Sequence, residues 1–163
     1  MKILTVGRIA PIKNYEVLIE AAKILQQRGV HFSVTIVGES ALKQDEAYEK
    51  RIRQESAGLN FQFVRKKTQS ELPKIYQEHD IFVHMSRTGS LDKVVLEAMA
   101  CGIKVLSCNE ASRNFLPANR IFYNSTDLAE KILRNEDDNF DGRQYALDHH
   151  DLKKLISRIS ALL

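Results

Sequence analysis

The stretch TGSLDKVVLEAMACG, residues 88–102, is a polar, glycine-bearing loop that runs directly into a short helical segment. Gly102 stands where glycine commonly ends a helix. A loop that enters a helix offers free backbone N–H groups and the positive end of the helix dipole, which together bind anions. The pattern indicates an anion-binding loop with Glu97 as the helix carboxylate. The alternative is a buried strand-to-helix turn in which Glu97 faces solvent, paired with a neighbour such as Lys93.

A second loop of similar character lies near the N-terminus. The apolar run at residues 2–6 predicts a strand, and Gly7, Arg8 and Lys13 follow it. Two cations that come soon after a strand end can hold a phosphate between them. Arg8 and Lys13 are therefore predicted to form a second phosphate-binding element.

Short apolar runs alternate with helical patterns along the chain. Strands are predicted at residues 2–6, 32–37, 61–64, 81–84 and 104–107, with a weaker one at Ile121-Phe122. Helices are predicted from an Asn14 cap to Gly29, at about 43–57, around 72–76, from the anion loop to Gly102, and at about 126–135 and 150–162. This alternation predicts an α/β fold with a Rossmann-like, doubly wound parallel sheet.

Polar and glycine residues follow the ends of several predicted strands. Arg8, Gly38, Arg65 and the loop at 85–92 each come directly after a strand. Ligands of doubly wound sheets bind outside the carboxyl ends of the strands. We therefore predict that these residues form one binding site at that edge of the sheet.

Composition describes one ordinary globular domain. The 163 residues are 44% hydrophobic and carry a net charge of +3, and a chain of this length can form a core without metals or disulfides. The weak positive charge, with 7% aromatic residues and no Trp, argues against a nucleic-acid-binding surface. Cys101 and Cys108 lack a metal-ligand spacing and are interpreted as reduced thiols of a cytoplasmic protein. No apolar run reaches the length of a membrane span.

Two further patterns near the C-terminus suggest metal sites. Residues 137–142 (Asp-Asp-Asn-Phe-Asp-Gly) followed by Asp148 resemble a calcium-binding loop, but Gln144 stands where an apolar residue is expected. An acidic connector between two helices is the preferred interpretation. The pair His149-His150 is assigned to a solvated first turn of a helix, because adjacent side chains on a helix point in different directions.

Taken together, these segments resemble the C-terminal, nucleotide-sugar-binding domain of a retaining GT-B glycosyltransferase of the group 1, or family 4, type. Gly7-Arg8 with Lys13 is similar to the family's opening signature, and residues 34–38 (Val-Thr-Ile-Val-Gly) are similar to its second strand and glycine. Residues 76–86 resemble the segment that leads to the donor loop. Residues 96–102 (Leu-Glu-Ala-Met-Ala-Cys-Gly) match its best-known helix, so the resemblance covers nearly the whole chain.

The resemblance implies a role for each site residue. Arg8 and Lys13 would be catalytic, because they would hold the diphosphate and neutralise the charge that grows on the leaving group. Glu97 would accept hydrogen bonds from the ribose hydroxyls, and the residues after Val64, Arg65 among them, would lie against the base. The other implied donor-binding residues are Gly7, Gly38, Gly89, Ser90, Leu91, Asp92, Lys93 and Val94. Backbone N–H groups at 90–94 would meet the phosphates, and no metal or cofactor is expected.

The chain departs from the family pattern at the donor loop. The family usually has a Glu before the helix Glu, where it touches the donor sugar, followed by Gly-aromatic-Gly. Gly89 occupies that position here, followed by Ser90-Leu91-Asp92, and Asp92 or a loop amide is expected to make the sugar contact. Arg65 stands where the family often has a glycine near the base, so the choice between UDP- and GDP-sugars stays open.

The length of the chain implies half of an enzyme. Family members have two facing α/β domains, and the acceptor binds the N-terminal one, so residues 1–163 would form only the donor-binding domain. We expect this chain to bind a UDP- or GDP-sugar and, alone, to transfer no sugar to a glycan or lipid-linked acceptor. The full-length enzyme would be cytoplasmic or peripheral at the membrane. The alternative is a non-catalytic nucleotide-binding or interaction module, which a melting experiment with UDP or GDP would distinguish.

Overall fold

The computed structural model describes residues 1–136 and 138–150, and a five-stranded parallel sheet forms its centre. The strands are β1 (Lys2–Val6), β2 (Ser33–Val37), β3 (Phe61–Val64), β4 (Ile81–His84) and β5 (Lys104–Ser107), in the order β3-β2-β1-β4-β5. The predicted α/β fold with a doubly wound parallel sheet is confirmed. Val6, Val37 and Val64 lie in register, so the carboxyl ends of β1–β3 form one even edge.

Helices cover both faces of the sheet. They are α1 (Glu16–Gln27), α2 (Lys43–Glu55), α3 (Leu72–Gln77), α4 (Lys93–Ala100), α5 (Ser125–Arg134) and α6 (Gly142–His149). Because successive strand residues point to opposite faces, Ile3 packs in a core with residues of α1, α2 and α5. Its neighbour Leu4 packs with residues of α3, α4 and α6. In the part of the chain described, none of these helices is long and apolar enough to cross a membrane.

The predicted Asn14 cap of the first helix is wrong. Asn14 has left-handed backbone angles (φ 54°, ψ 49°) and ends a 3-10 turn at Pro11–Lys13, where its N–H bonds the Pro11 carbonyl. Tyr15 is the N-cap residue of α1 instead, and its N–H donates to the Tyr48 hydroxyl at 3.0 Å. The buried Tyr15 side chain fixes where the chain enters α1, which the capping pattern alone does not show.

The segment after α5 differs from its prediction in two places. Ile121-Phe122 forms a single bridge to Ser107 rather than a strand, because the chain leaves the edge of the short β5 after one contact. Gly142–His149 is a helix that the sequence prediction treated as a connector, and Asp141 caps it by accepting from the Gln144 N–H at 2.9 Å. The helix predicted at 150–162 lies outside the described residues, apart from His150.

The acidic residues of the segment that resembles a calcium-binding loop form hydrogen bonds within the protein. Asp138 accepts two hydrogen bonds from the largely buried Arg120 guanidinium, at 2.8 and 2.6 Å. Asp148 lies on α6, where it accepts from Gln144 at 2.8 Å, and Asp137 lies outside the described residues. The pair His149-His150 falls at the end of α6, so its assignment to the first turn of a helix is wrong.

Candidate functional site

The loops after β1 and β2 touch through two glycines. The Gly7 N–H donates to the Val37 carbonyl at 3.0 Å, and the Gly38 N–H donates to the Val64 carbonyl at 2.9 Å, which extends the sheet ladder past the strand ends. Gly38 has φ +149°, and a Cβ added there would lie 2.0 Å from the Gly7 carbonyl oxygen. Only glycine permits this approach, so the pair forms a bare backbone floor at the edge of the sheet.

A cleft of about 410 Å³ opens above this floor, over the ends of β1–β3 and beside α4. Its lining residues are Val6, Gly7, Arg8, Val37, Gly38, Glu39, Ser40, Ala41, Lys66, Lys67, Gln69, Leu72, Val94 and Glu97. Five residues predicted for the site, Gly7, Arg8, Gly38, Val94 and Glu97, therefore line one cleft. They come from three separate segments of the sequence, the loops after β1 and β2 and the helix α4, and the parallel sheet brings them together.

Other predicted site residues lie outside this cleft. They are Lys13, Arg65, Gly89, Ser90, Leu91, Asp92 and Lys93. Arg65 is exposed, whereas Lys66 and Lys67 line the cleft. The loop after β3 therefore reaches the cleft through these two lysines, and the contact of the residues after Val64 with the base stays a prediction.

Lys13 lies at the first turn of α4. Its ammonium forms an ion pair with Asp92, and its Cε lies 3.9 Å from the position that a Cβ would take on Gly7. Asp92 occupies the N-cap position of α4, yet its side chain caps none of the helix N–H groups. It accepts from His84 Nε2 at 2.7 Å instead. The hydrogen bond from His84 and the contact with Lys13 hold the pKa of Asp92 well below its usual range.

This use of Asp92 leaves the first turn of α4 without a side-chain cap. The first N–H groups of a helix have no partner inside the helix, and they carry the positive end of its dipole. Lys13 and the N-terminus of α4 therefore place two sources of positive potential side by side. This arrangement favours an anion next to the cleft that Arg8 lines.

Arg8 has a buried carboxylate behind it. Its Nε lies 3.8 Å from Asp45 Oδ2 on α2, with the Arg8 side chain 44% exposed and that of Asp45 6% exposed. Asp45 Oδ2 has no hydrogen-bond partner in the described residues. Asp45 thus draws the guanidinium toward the wall of the cleft without covering it. Asp45 was not predicted for the site, because one acid among several in a polar helix carries no signal.

Glu97 projects from α4 into the same cleft. The hydroxyl of the buried Tyr76 donates to Glu97 Oε2 at 3.3 Å, next to the Val94 carbonyl at 3.4 Å. Burial and the Glu97 carboxylate both raise the pKa of Tyr76. Tyr76 therefore stays a hydrogen-bond donor that fixes one carboxylate oxygen of Glu97. No role for Tyr76 was predicted from the sequence, in which it stands only as the first residue of the segment 76–86.

The loop before α4 is held by Asn109, which the sequence analysis did not identify. The fully buried Asn109 amide nitrogen donates to the carbonyls of Ser86, Thr88 and Ser90, at 3.3, 2.6 and 3.1 Å. Its side-chain oxygen accepts from the Ala111 N–H at 2.8 Å. Asn109 comes second after the predicted fifth strand, and a polar residue at that position is the only signal that could have identified it.

Comparisons with known proteins identify the family of the chain. Residues 1–115 match the family model for glycosyl transferases group 1. The amylovoran biosynthesis glycosyltransferase AmsK of Erwinia amylovora is 33% identical over 113 residues, which are 66% of this chain and 27% of that protein. The chain spans about a quarter of the length of the curated relatives it matches.

Solved structures show the same fold. The Anabaena protein HepE, solved in complex with UDP and glucose, superposes with a TM-score of 0.83 at 20% identity, over 99% of this chain and 47% of HepE. The catalytic domain of the Helicobacter pylori cholesterol-alpha-glucosyltransferase superposes with a TM-score of 0.73 at 22% identity, over 91% of this chain and 98% of that chain. At these identities the likeness concerns the fold.

Proposed function

The chain belongs to the glycosyl transferases group 1 family, and on that premise we propose that it is the donor-binding half of a retaining glycosyltransferase. It would move a sugar from a UDP- or GDP-sugar to a glycan or lipid-linked acceptor. The observation that carries this proposal is the cleft in which Gly7, Arg8, Gly38 and Glu97 meet beside the N-terminus of α4. HepE, whose fold is similar, was solved with UDP and glucose bound.

A nucleoside diphosphate would lie in the cleft with its phosphates toward the N-terminus of α4 and its base toward the loop after β3. The bare backbone at Gly7 and Gly38 allows a flat or charged group to approach the strand ends closely. The N–H groups at the N-terminus of α4 and the Lys13 ammonium can donate hydrogen bonds to the phosphates. The Glu97 carboxylate can accept hydrogen bonds from a pair of vicinal hydroxyls. Lys66 and Gln69 also line the cleft, and the base would lie against them.

Arg8 and Lys13 would supply the chemistry of donor cleavage. As the glycosidic bond breaks, negative charge grows on the diphosphate, and cations fixed in advance stabilise that charge more than they stabilise the ground state. The loss of one such donor typically slows a reaction by about 10²–10³. The two cations and the helix dipole would neutralise the leaving group without a metal or cofactor.

A second domain would complete the enzyme. The chain covers 47% of HepE and a smaller share of its curated relatives. A two-substrate reaction gains much of its rate from holding both substrates in one geometry. We therefore propose that the acceptor binds on an N-terminal domain, and that this chain alone binds the donor but transfers no sugar. Cys101 and Cys108 are unpaired, which fits a cytoplasmic enzyme.

The proposal is tested by nucleotide binding to the purified chain. UDP or GDP should raise its melting temperature in the presence of a chelator, and Arg8→Ala and Lys13→Ala should each weaken binding by about tenfold or more, because a charge-assisted hydrogen bond contributes about 1.5–3 kcal/mol. Lys74→Ala is the matched control, because Lys74 is exposed on α3 and lies away from the cleft. Equal affinity in the wild type and both variants rejects the site.

One observation favours a different class of function. Both cations of the predicted clamp contact carboxylates of this chain, Arg8 with Asp45 and Lys13 with Asp92. Such pairs also occur as purely structural links, and a non-catalytic module on the same fold would use them in that way. In that case UDP and GDP would leave the melting temperature unchanged, while Lys13→Ala would lower it.

A further inference from the structure

A second recess lies at the other end of the same sheet edge. Arg87 follows β4, Cys108 follows β5, and the two lie together with Arg113 and Tyr123 around a cavity of about 100 Å³. Glu110 and Phe122 complete its wall. We refer to this group of six residues as the arginine recess.

The two guanidinium groups of the arginine recess are held by Tyr123. Arg87 Nη2 donates to the Tyr123 carbonyl at 2.5 Å, and the Arg113 guanidinium lies 5.3 Å from the centre of the Tyr123 ring. Both also face the Cys108 thiol: burial raises the pKa of Cys108, and the charges of Arg87 and Arg113 oppose that rise. Two like charges are therefore held around one small cavity.

These two arginines lack the partners that most arginines of this protein have. Arg28 pairs with Glu130 at 2.6 Å, and Arg120 pairs with Asp138 at 2.6 Å. Within residues 1–136 and 138–150, no carboxylate lies within ion-pair distance of Arg87 or Arg113, although Glu110 lines the same recess. Two cations beside one carboxylate that does not pair with either of them leave a net positive potential, which an oxyanion relieves, and planar guanidinium groups match carboxylate and phosphate oxygens.

The position of the recess suggests which part of a ligand would reach it. The donor cleft lies over β1–β3, and the pair of Lys13 and Asp92 lies between the ends of β1 and β4. The arginine recess comes next in the sheet order, at the ends of β4 and β5. A ligand whose nucleotide fills the cleft and whose diphosphate lies at Lys13 would extend toward Arg87 beyond its second phosphate.

The loop that carries Arg87 supports an acidic ligand. Residues 88–91, between Arg87 and Asp92, carry no carboxylate that would repel an anion. The Asp92 carboxylate is itself held by Lys13 and His84. We propose that the arginine recess binds a carboxylate or phosphate group of the substrate that lies beyond the nucleotide diphosphate. This inference rests on the proposed function for the assignment of the ligand. Two sources would provide that chemistry: an acidic donor sugar, or a phosphate on the acceptor.

Anion binding at the recess is tested first. Inorganic phosphate is titrated into the chain labelled for NMR, with and without saturating UDP, while the arginine Nε–H signals are followed. We expect saturable chemical-shift changes at Arg87 and Arg113. Arg87→Gln and Arg113→Gln should each lower the phosphate affinity, measured at the remaining arginine, by about tenfold. Arg143→Gln is the matched control, because Arg143 is exposed on α6 outside the recess. Shifts that all three variants reduce equally, or no saturable shift, overturn the proposal.

Calorimetry then distinguishes the two sources. If the anion belongs to the donor sugar, UDP-glucuronate should bind about tenfold more tightly than UDP-glucose, and Arg87→Gln should remove the difference. If it belongs to the acceptor, the two nucleotide sugars bind equally and phosphate still binds beside UDP. If UDP binds but neither arginine variant changes the binding of phosphate or of UDP-glucuronate, the anion site at the arginine recess is rejected and the proposed function stands. A phosphate effect without UDP binding rejects the proposed function, and with it the assignment of the anion to a nucleotide-linked substrate.

Discussion

The Lys13 ammonium and the Asp92 carboxylate form an ion pair that joins the loop after β1 to the first turn of α4. His84, buried at the end of β4, donates to the same carboxylate oxygen at 2.7 Å. Each side chain of the ion pair is 23% exposed, so solvent and ligands can reach it. A diphosphate that binds Lys13 must therefore compete with Asp92 for the ammonium.

Asp92→Asn should strengthen the binding of a nucleoside diphosphate. The substitution removes a negative charge from the phosphate-binding element and releases Lys13. A unit charge at a few ångströms contributes about 1 kcal/mol or more even in a high dielectric, which corresponds to about fivefold in affinity. Calorimetry with UDP or GDP measures the change. Asp92→Asn combined with Lys13→Met should lose the gain, and a weaker complex for Asp92→Asn alone would show that Asp92 positions Lys13 for the ligand.

The same carboxylate should contribute to the pH dependence of stability. The hydrogen bond from His84 and the contact with Lys13 lower the pKa of Asp92 in the folded protein. In the unfolded chain the Asp92 carboxylate is protonated at a higher pH, near its ordinary pKa of 3.8. The contribution of Asp92 to the free energy of unfolding is therefore complete above that pH and is lost as the pH falls. Urea unfolding from about pH 6 to about pH 2.5 should show the difference between wild type and Asp92→Asn shrinking below about pH 4. The exposed Glu46→Gln serves as control.

Gly38→Ala should destabilise the protein more than an alanine at other glycines with positive φ. A Cβ on Gly38 would overlap the Gly7 carbonyl oxygen at 2.0 Å, whereas one on Gly29, with φ +72°, would meet nothing within 4 Å. Gly29→Ala should cost about 1–2 kcal/mol for the left-handed backbone, and Gly38→Ala at least about 2 kcal/mol more for the overlap. Urea denaturation measures both free energies of unfolding. Equal losses in the two variants would mean that the contact between the two loops is loose.

The features of the fold that were predicted from sequence depend on local patterns. Apolar runs located all five strands, and Gly29, Gly58 and Gly102 follow helices with positive φ, as expected of terminators. The cap at Asn14 failed because a 3-10 turn and the buried Tyr15 determine where α1 begins. The helix at Gly142–His149 was missed because its apolar residues are few and its packing against α4 is a tertiary effect.

For the candidate site, the sequence located the residues at the strand ends but not the side chains that pair with them. Strand ends identified Gly7, Arg8 and Gly38, because residues after parallel strands share one edge. The partners that control the cations, Asp45 for Arg8 and Asp92 for Lys13, are set by side-chain directions across distant segments. No spacing rule in a single sequence contains that information.

Asn109→Ala should loosen the loop that precedes α4. The amide of Asn109 donates to the carbonyls of Ser86, Thr88 and Ser90, and alanine leaves buried acceptors unpaired at a cost of about 1–3 kcal/mol. Hydrogen exchange of the loop amides should accelerate, and UDP affinity should fall because the loop leads into the N-terminus of α4, where we propose that the phosphates bind. Asn109→Asp is the sharper variant, since a carboxylate oxygen replaces the donor and faces the same carbonyls.

Glu97→Gln should weaken a ribonucleoside diphosphate and spare inorganic pyrophosphate. Glu97 lines the cleft and, among the described residues, forms no ion pair with Lys93; its side-chain hydrogen-bond partner there is Tyr76, at 3.3 Å. A carboxylate that accepts from ribose hydroxyls makes charge-assisted hydrogen bonds of about 1.5–3 kcal/mol each, so the loss of UDP affinity should reach about tenfold. Pyrophosphate has no ribose, so its affinity should not change.

Tyr76→Phe is the matched control for that experiment. It removes the hydroxyl that holds Glu97 Oε2 and leaves the carboxylate charge in the cleft. Because the ribose contact depends on the carboxylate, Tyr76→Phe should lower the free energy of unfolding by about 0.5–1.5 kcal/mol and reduce UDP affinity far less than Glu97→Gln does. Equal losses for UDP and pyrophosphate in Glu97→Gln would indicate a general electrostatic effect at the cleft. No loss for either ligand would assign Glu97 to the support of Tyr76 alone.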